Sequence, residues 1–271
     1  MIRPVSTETI AFGSSSLRLQ QQKDGSWQGI VVGKAASPIA AATRDQAIRQ
    51  LQTLALSKAP EFVGWDGARR RFLEEYPEGF SDRRFLSDGK GGERTSKLQA
   101  SERALDLLPP EALSAVPNPG ARFAEIARMT ELVDWRETDR ICKAIEGDNG
   151  RELVSLCAEF ALGDRTAACS RFATRYPTER GGTWPVLTLL PFLWRPAELM
   201  FLRPAFTREF ARRVGHPFDV AYESRPNAAS YAALLDLASE VHDRMADLEP
   251  RDMIDVQGFM WVTVMYARPA V

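Results

Sequence analysis

Histidine is the side chain best suited to acid-base and metal chemistry near neutral pH, and this sequence contains only two, His216 and His242. Neither belongs to an H-x-x-x-H or H-x-E pattern of the kind that places zinc ligands together. The spacing places His216 in a turn and His242 half-buried at the edge of a helix. No G-x-S-x-G turn presents a serine nucleophile, and the three cysteines form no C-x-x-C pair. The sequence therefore indicates no catalytic residue, metal ligand or cofactor, and leaves open whether the protein is an enzyme.

Asp255 is the most conspicuous of the many carboxylates. It lies near the start of the stretch 252–266, which is apolar on nearly all sides. A buried helix is therefore predicted there, with Asp252 as its N-cap. A buried carboxylate needs a partner. Two interpretations stay open: a structural bond to an arginine or a helix end, and an active-site carboxylate.

An aromatic, proline-rich segment at 184–204 is the second chemical candidate. It carries Trp184 and Trp194, with Arg195 and Arg203 set between apolar residues. These side chains could line a pocket in which the guanidinium groups hold a carboxylate or a phosphate, with Asp255 completing an enzyme site. Prolines that end helices over a core would give the same composition.

Cations that could contact phosphates occur in two stretches of the sequence. They are Arg18, Lys23 and Lys34 near the N-terminus, and Arg208, Arg212 and Arg213 in a predicted helix at 205–214. The helix places Arg208 and Arg212 on the face opposite its apolar side chains, and Glu209 partly offsets their charge. These six residues are the predicted nucleic-acid contacts.

The predicted secondary structure that positions these side chains changes near residue 58, from a segment with strands to one that is almost wholly helical. Alternating apolar residues predict strands at 17–20, 27–32 and 37–41, and Asp24-Gly25 favours a hairpin turn between the first two. Thr43 with Gln46 predicts the start of a helix. We therefore predict a head at residues 1–58 with a three-stranded antiparallel sheet and one helix, and a mainly α-helical domain at 59–271, an α+β protein.

The helical domain shows apolar residues at helical spacing over most of its length. The predicted helices are 62–76, 92–108, 122–133, 137–145, 151–162, 165–176, 184–193, 205–214, 228–248 and 252–266. The segment between Tyr76 and Gly92 is rich in glycine and charge, which favours a mobile surface loop.

The head resembles the three-stranded arm-binding domains at the N-termini of phage-type integrases. The resemblance covers about 40 residues and rests on the order of elements, on Trp27 in the second strand and on the Thr-Arg-Asp-Gln-Ala helix start at 43–47. It implies that the sheet lies in a DNA groove.

Charge divides unevenly between the two predicted parts. Residues 1–58 carry seven Lys and Arg against three Asp and Glu, whereas the remaining chain carries 28 against 33. A positive head favours contact with a polyanion. No apolar run is long enough for a signal peptide or a membrane span, and the odd number of cysteines argues against a disulfide framework, so we expect a cytoplasmic protein without membrane contact.

Three hypotheses follow in order. The first is a non-enzymatic accessory protein that contacts DNA or RNA through the basic residues of the head and of the helix 205–214. The second is a protein-interaction subunit of a larger complex that docks through Trp27 or the aromatic segment. The third is an enzyme that uses Asp255 with Arg195 and Arg203.

Overall fold

The computed structural model describes residues 6–13, 15–33, 37–57, 61–87, 92–146 and 149–266, which form two compact units. Unit 1 lies within residues 1–68 and 208–221, and unit 2 within residues 69–207 and 222–271. Unit 1 thus contains the predicted head together with a segment from the C-terminal half of the chain.

Unit 1 begins with an antiparallel sheet in which neighbouring strands follow one another along the chain. Its strands are β1 (Ser6–Phe12), β2 (Ser15–Gln21), β3 (Trp27–Val31) and β4 (Ile39–Ala41), followed by the helix α1 (Arg44–Leu56). Further helices are α2 (Gly64–Glu75), α10 (Pro204–Val214) and α11 (Phe218–Ala221), and the division between the units falls within α2 and α10.

The helix α1 covers one face of the sheet. Leu17, Leu19 and Val31 point from β2 and β3 towards it and are buried with Ala47 and Leu51 of α1. The predicted start of this helix is confirmed, because the Thr43 hydroxyl accepts a hydrogen bond from the backbone N–H of Gln46. Such a bond satisfies one of the N–H groups that the first helical turn leaves without a partner.

The sheet has four strands, so the prediction of three was wrong. The additional strand β1 pairs with β2 along its whole length, from Ser6 opposite Gln21 to Phe12 opposite Ser15. Its side chains alternate, with Ile10 and Phe12 on the side of α1 and Thr9 on the other. With two large apolar residues among polar ones, the segment gives only a weak alternation signal.

Unit 2 contains the remaining helices. They are α3 (Arg83–Leu86), α4 (Thr95–Leu107), α5 (Pro119–Met129), α6 (Trp135–Ala144), α7 (Asn149–Leu162), α8 (Arg165–Arg175), α9 (Trp184–Trp194), α12 (Ala228–Arg244) and α13 (Met253–Met265). All residues of α9 are buried, and this helix packs against α4, α6 and α7. The α+β class and the longer helices are as predicted.

The segment after α2 departs from the predicted mobile surface loop. A 3-10 turn at Gly79–Ser81 and the short helix α3 place Phe80 and Phe85 in the core, where both rings contact Phe72. Glycines and charged residues dominate the composition of this segment, whereas two aromatic residues determine its packing, because each buries a large apolar area. Residues 88–91 lie outside the described residues.

Candidate functional site

The face of the sheet opposite α1 carries mostly polar side chains. The strand register aligns Thr7, Gln20, Gln28 and Ala40 in one row across the four strands, and Thr9, Arg18 and Ile30 in the next. We call these seven residues the open face. Each of them is exposed or half-buried. The alternation of a β-strand produces this arrangement, since every second residue of β2 and β3 is committed to the core beneath α1.

A shallow cavity of about 150 Å³ lies on the open face. Its lining includes Arg18, Gln20, Gln28 and Ile30. Arg18 is exposed and has no carboxylate within 4 Å among the described residues. The open face therefore combines one cation without an acidic partner in the described part of the chain with two side-chain amides, each of which can donate and accept hydrogen bonds.

The other predicted contacts of the head lie elsewhere. Lys23 is exposed in the turn between β2 and β3, next to Asp24. Hydrogen bonds from the hydroxyl and the backbone N–H of Ser26 lower the pKa of Asp24, which keeps a negative charge beside Lys23. Lys34 lies outside the described residues.

The arginines of α10 are paired with acidic residues of the same unit. Arg208 contacts Asp219 at 2.5 Å, Arg212 contacts both Asp219 and Glu61, and Glu209 bonds Arg212 and Arg213 at 2.6 and 2.8 Å. Although burial raises the pKa of Glu209, the bonds from the two arginines lower it below its usual value. Paired charges produce little net potential at a distance, so this cluster adds little to an anion-binding surface.

Asp255 is a structural residue. Its carboxylate is fully buried and accepts hydrogen bonds from Arg94 at 2.8 Å and from the backbone and side chain of Arg251 at 2.7 to 3.1 Å. Arg94 also bonds both oxygens of Asp252, which caps α13 as predicted. The four-residue spacing of Arg251 and Asp255 is visible in the sequence, but Arg94 is 161 positions away from Asp255 and could not be identified from it.

The residues of the predicted pocket have separate partners. Trp184 is buried and donates its indole N–H to the carbonyl of Glu223 at 2.8 Å, and Arg195 bonds Glu198. Trp194 is buried, and its indole N–H has no partner among the described residues.

Arg203 lies over the ring of Trp261, 5.2 Å from its centroid. Burial lowers the pKa of Arg203, against the opposing effect of nearby Asp134 and Glu137. Neither Arg195 nor Arg203 forms an ion pair with Asp255 among the described residues. The ion pairs of Asp255 therefore do not include the arginines that the enzyme hypothesis requires.

The surfaces named for protein docking are largely internal. Trp27 is half-buried and packs against the core beneath α1, and the aromatic segment includes the buried helix α9. No observation in the described residues favours either as a docking site.

The histidines and cysteines suggest no reactive centre. His216 is buried in the predicted turn and accepts a hydrogen bond from the N–H of Phe218, and the side chain of His242 on α12 is 48% exposed. Burial raises the pKa of Cys157 and raises that of Cys169 to about 11, so both thiols stay protonated at neutral pH. Across the described residues, no group of three or more His, Cys, Asp or Glu is arranged to hold a metal ion.

None of the helices in the described ranges combines the length and apolar character needed to cross a bilayer. Comparison with protein-family models, with curated proteins and with solved structures finds no match to this chain.

Proposed function

We propose that the protein is a nucleic-acid-associated accessory protein that contacts DNA or RNA through the open face of unit 1. The observation that carries this proposal is the exposed guanidinium of Arg18, which lies in the second row of the open face, between Thr9 and Ile30, and has no acidic partner among the described residues. A guanidinium without a partner is available to a phosphate or to the edge of a guanine, and no ion pair has to be broken before it binds.

The neighbouring amides supply a second kind of recognition. Gln20 and Gln28 are direct cross-strand neighbours, so their side chains project from adjacent strands on the same face. Glutamine amides bond the adenine edge in the major groove, and strands are known to enter nucleic-acid grooves in several DNA-binding folds. The open face thus has both the charge and the hydrogen-bonding groups that such contacts use.

The charge of unit 1 supports the same proposal. Its residue ranges contain ten Lys and Arg against seven Asp and Glu, a net of +3, whereas unit 2 has 25 against 29. A small positive excess draws in a polyanion without holding it tightly, so we expect weak binding that decreases with salt. The acidic partners of the α10 arginines leave the open face as the main contact surface.

Fluorescence anisotropy with a labelled duplex and a labelled single strand tests this function. The variants are Arg18→Ala and, as a matched control, Arg49→Ala on α1, where the side chain is also exposed. Both remove one positive charge. We expect Arg18→Ala to weaken binding about tenfold and Arg49→Ala to change it less than about twofold. Equal losses for the two variants, or no binding of either nucleic acid at low salt, would exclude this surface.

A further inference from the structure

A polar cavity of about 550 Å³ lies in unit 2 where α6 ends, α7 begins, and α8 is followed by the 3-10 turn Thr178–Arg180. Its volume is within the range of about 300 to 1,000 Å³ that is usual for small-molecule sites. Three cationic side chains line it, those of Lys143, Arg175 and Arg180, together with the carboxylates of Glu146 and Glu179. This cavity lies wholly in unit 2 and does not depend on the proposed function of unit 1.

Arg175 has three neighbouring partners at one wall of the cavity. Its guanidinium bonds Glu152 at 2.8 Å, contacts the side chain of Asn149, and lies over the ring of Tyr176 at 5.7 Å. Tyr176 in turn donates its hydroxyl to the backbone carbonyl of Asn149 at 3.1 Å, and burial raises its pKa so that the phenol stays neutral. These bonds tie the end of α8 to the start of α7 and fix one wall of the cavity.

Two glycines, Gly181 and Gly182, follow the 3-10 turn that carries Arg180. Gly181 has a φ of 84°, and a Cβ atom there would lie 2.5 Å from the carbonyl oxygen of Arg140 in α6. A Cβ atom on Gly182 would lie 1.9 Å from the carbonyl oxygen of Tyr176. Neither position accepts a side chain without a backbone shift, so the turn that carries Arg180 is held close to α6.

The cations of the cavity are only partly compensated. Arg180 is exposed and has no carboxylate within 4 Å in the described part of the chain. Lys143 pairs with Asp139 at 2.7 Å, but both side chains are 51% exposed, and exposed pairs of this kind exchange partners at little cost. A doubly charged anion can therefore recruit Arg180 and Lys143 beside Arg175. The N-terminal end of α7, with its partial positive charge, lines the same cavity at Asn149.

The geometry points to a binding site for a small phosphorylated molecule that also carries hydroxyl or amino donors. The three cations bind the phosphate, since guanidinium groups match phosphate oxygens with paired N–H donors. Glu146 and Glu179, which also line the cavity, accept hydrogen bonds from the hydroxyl or amino groups of the ligand. The lining is mostly polar, which argues against an apolar ligand.

Isothermal titration calorimetry of the full chain in phosphate-free, low-salt buffer tests the site, with inorganic pyrophosphate and ribose 5-phosphate as probes. We expect both to bind, and Arg180→Ala to weaken each about tenfold. Glu179→Gln should weaken ribose 5-phosphate severalfold but not pyrophosphate, which carries no sugar hydroxyl groups. Arg136→Ala is the matched control, because this exposed arginine lies two turns before Lys143 on the same helix.

Several outcomes would overturn the site. Failure of both probes to bind at millimolar concentration removes it, and so does an effect of Arg136→Ala equal to that of Arg180→Ala. Equal effects of Glu179→Gln on the two probes would contradict the role of Glu179 as the acceptor of hydrogen bonds from the hydroxyl groups of the ligand. Lys143→Ala provides a second variant, and wild-type affinity in it would exclude a three-cation site.

Discussion

The carboxylate of Asp255 accepts four hydrogen bonds, one from Arg94 and three from Arg251, and its side chain is fully buried. A buried charge with all its lone pairs engaged is a structural feature, and it leaves no acceptor for substrate chemistry. Arg18 is the opposite case, an exposed charge that no described carboxylate offsets. The difference in partners, rather than residue type, separates the structural charges of this protein from its candidate functional ones.

The Asp255 network gives the first prediction. Asp255→Asn removes the negative charge that Arg94 and Arg251 share, so it should lower the free energy of unfolding by about 3 to 5 kcal/mol. Urea denaturation followed by circular dichroism measures this. Glu240→Gln, which affects the exposed pair with Arg244, should cost less than about 1 kcal/mol. Similar costs for the two variants would contradict the structural role of Asp255.

Glu93 gives a prediction about pH. Burial, the largest cause, raises its pKa above the usual value of 4.5, against the opposing effect of Lys97 at 2.8 Å. The folded state thus binds the proton more tightly than the unfolded state, and the free energy of unfolding must fall as pH rises from the unfolded pKa through the folded one. Glu93→Gln removes the titrating carboxyl group and, with it, this fall in the free energy of unfolding.

The Glu93→Gln variant should therefore gain stability relative to the wild type as the pH rises from below the usual glutamate pKa of 4.5 to neutrality. Urea midpoints measured across this range provide the comparison. Glu102→Gln, an exposed site on the same helix α4, should show no such trend. A wild type that becomes more stable relative to the Glu93→Gln variant as pH rises would reverse the assigned direction of the shift.

At the scale of the element, the spacing of apolar residues predicted the helices that bury one face. Helices such as α8 and α10 were found near their predicted bounds, because their apolar residues recur at helical spacing and form one buried face. The strand β1 was missed because a serine, two threonines and a glutamate fill four of its seven positions. The seven residues of the open face could not be grouped from the sequence, because the register that aligns Gln20 with Gln28 depends on pairing between strands.

The packing of α1 on the sheet can be tested at the contact between Gly29 and Leu51. A Cβ atom at Gly29 of β3 would lie 2.6 Å from Cδ1 of Leu51. Gly29→Ala should therefore destabilise the protein by about 1 to 3 kcal/mol, and Leu51→Ala alone by about 2 to 5 kcal/mol. The double variant should lose less than the sum, because the smaller side chain leaves room for the new methyl group. Strict additivity in urea denaturation would contradict the close approach.

At the scale of the whole molecule, opposite charge is divided between the two units. Unit 1 is net positive and unit 2 net negative, by three and four charges respectively. The sequence indicated this asymmetry, but it could not indicate that Glu61, Glu209 and Asp219 neutralise the arginines of α10. Under the proposed function, the net charge of each unit predicts which unit would contact a polyanion, and the ion pairs predict which of its surfaces would do so.

Arg212 separates the effect of the net charge of unit 1 from the effect of ion pairing in α10. It contacts Glu61 at 3.0 Å and Asp219 at 3.2 Å, so Arg212→Ala should lower the free energy of unfolding by about 1 kcal/mol. Nucleic-acid affinity measured by anisotropy should change less than about twofold, against about tenfold for Arg18→Ala. A larger affinity loss for Arg212→Ala than for Arg18→Ala would return α10 to the contact surface.

Site-specific photo-crosslinking tests the central claim most directly, because it identifies the face that touches the nucleic acid. A benzophenone amino acid is placed at Gln28 on the open face or at Arg49 on α1, and each protein is irradiated with labelled duplex or single strand at low salt. We predict label transfer to the protein with the probe at position 28 and none above background at position 49. Transfer at position 49 alone, or equal transfer at both, would contradict the assignment of the open face as the nucleic-acid contact.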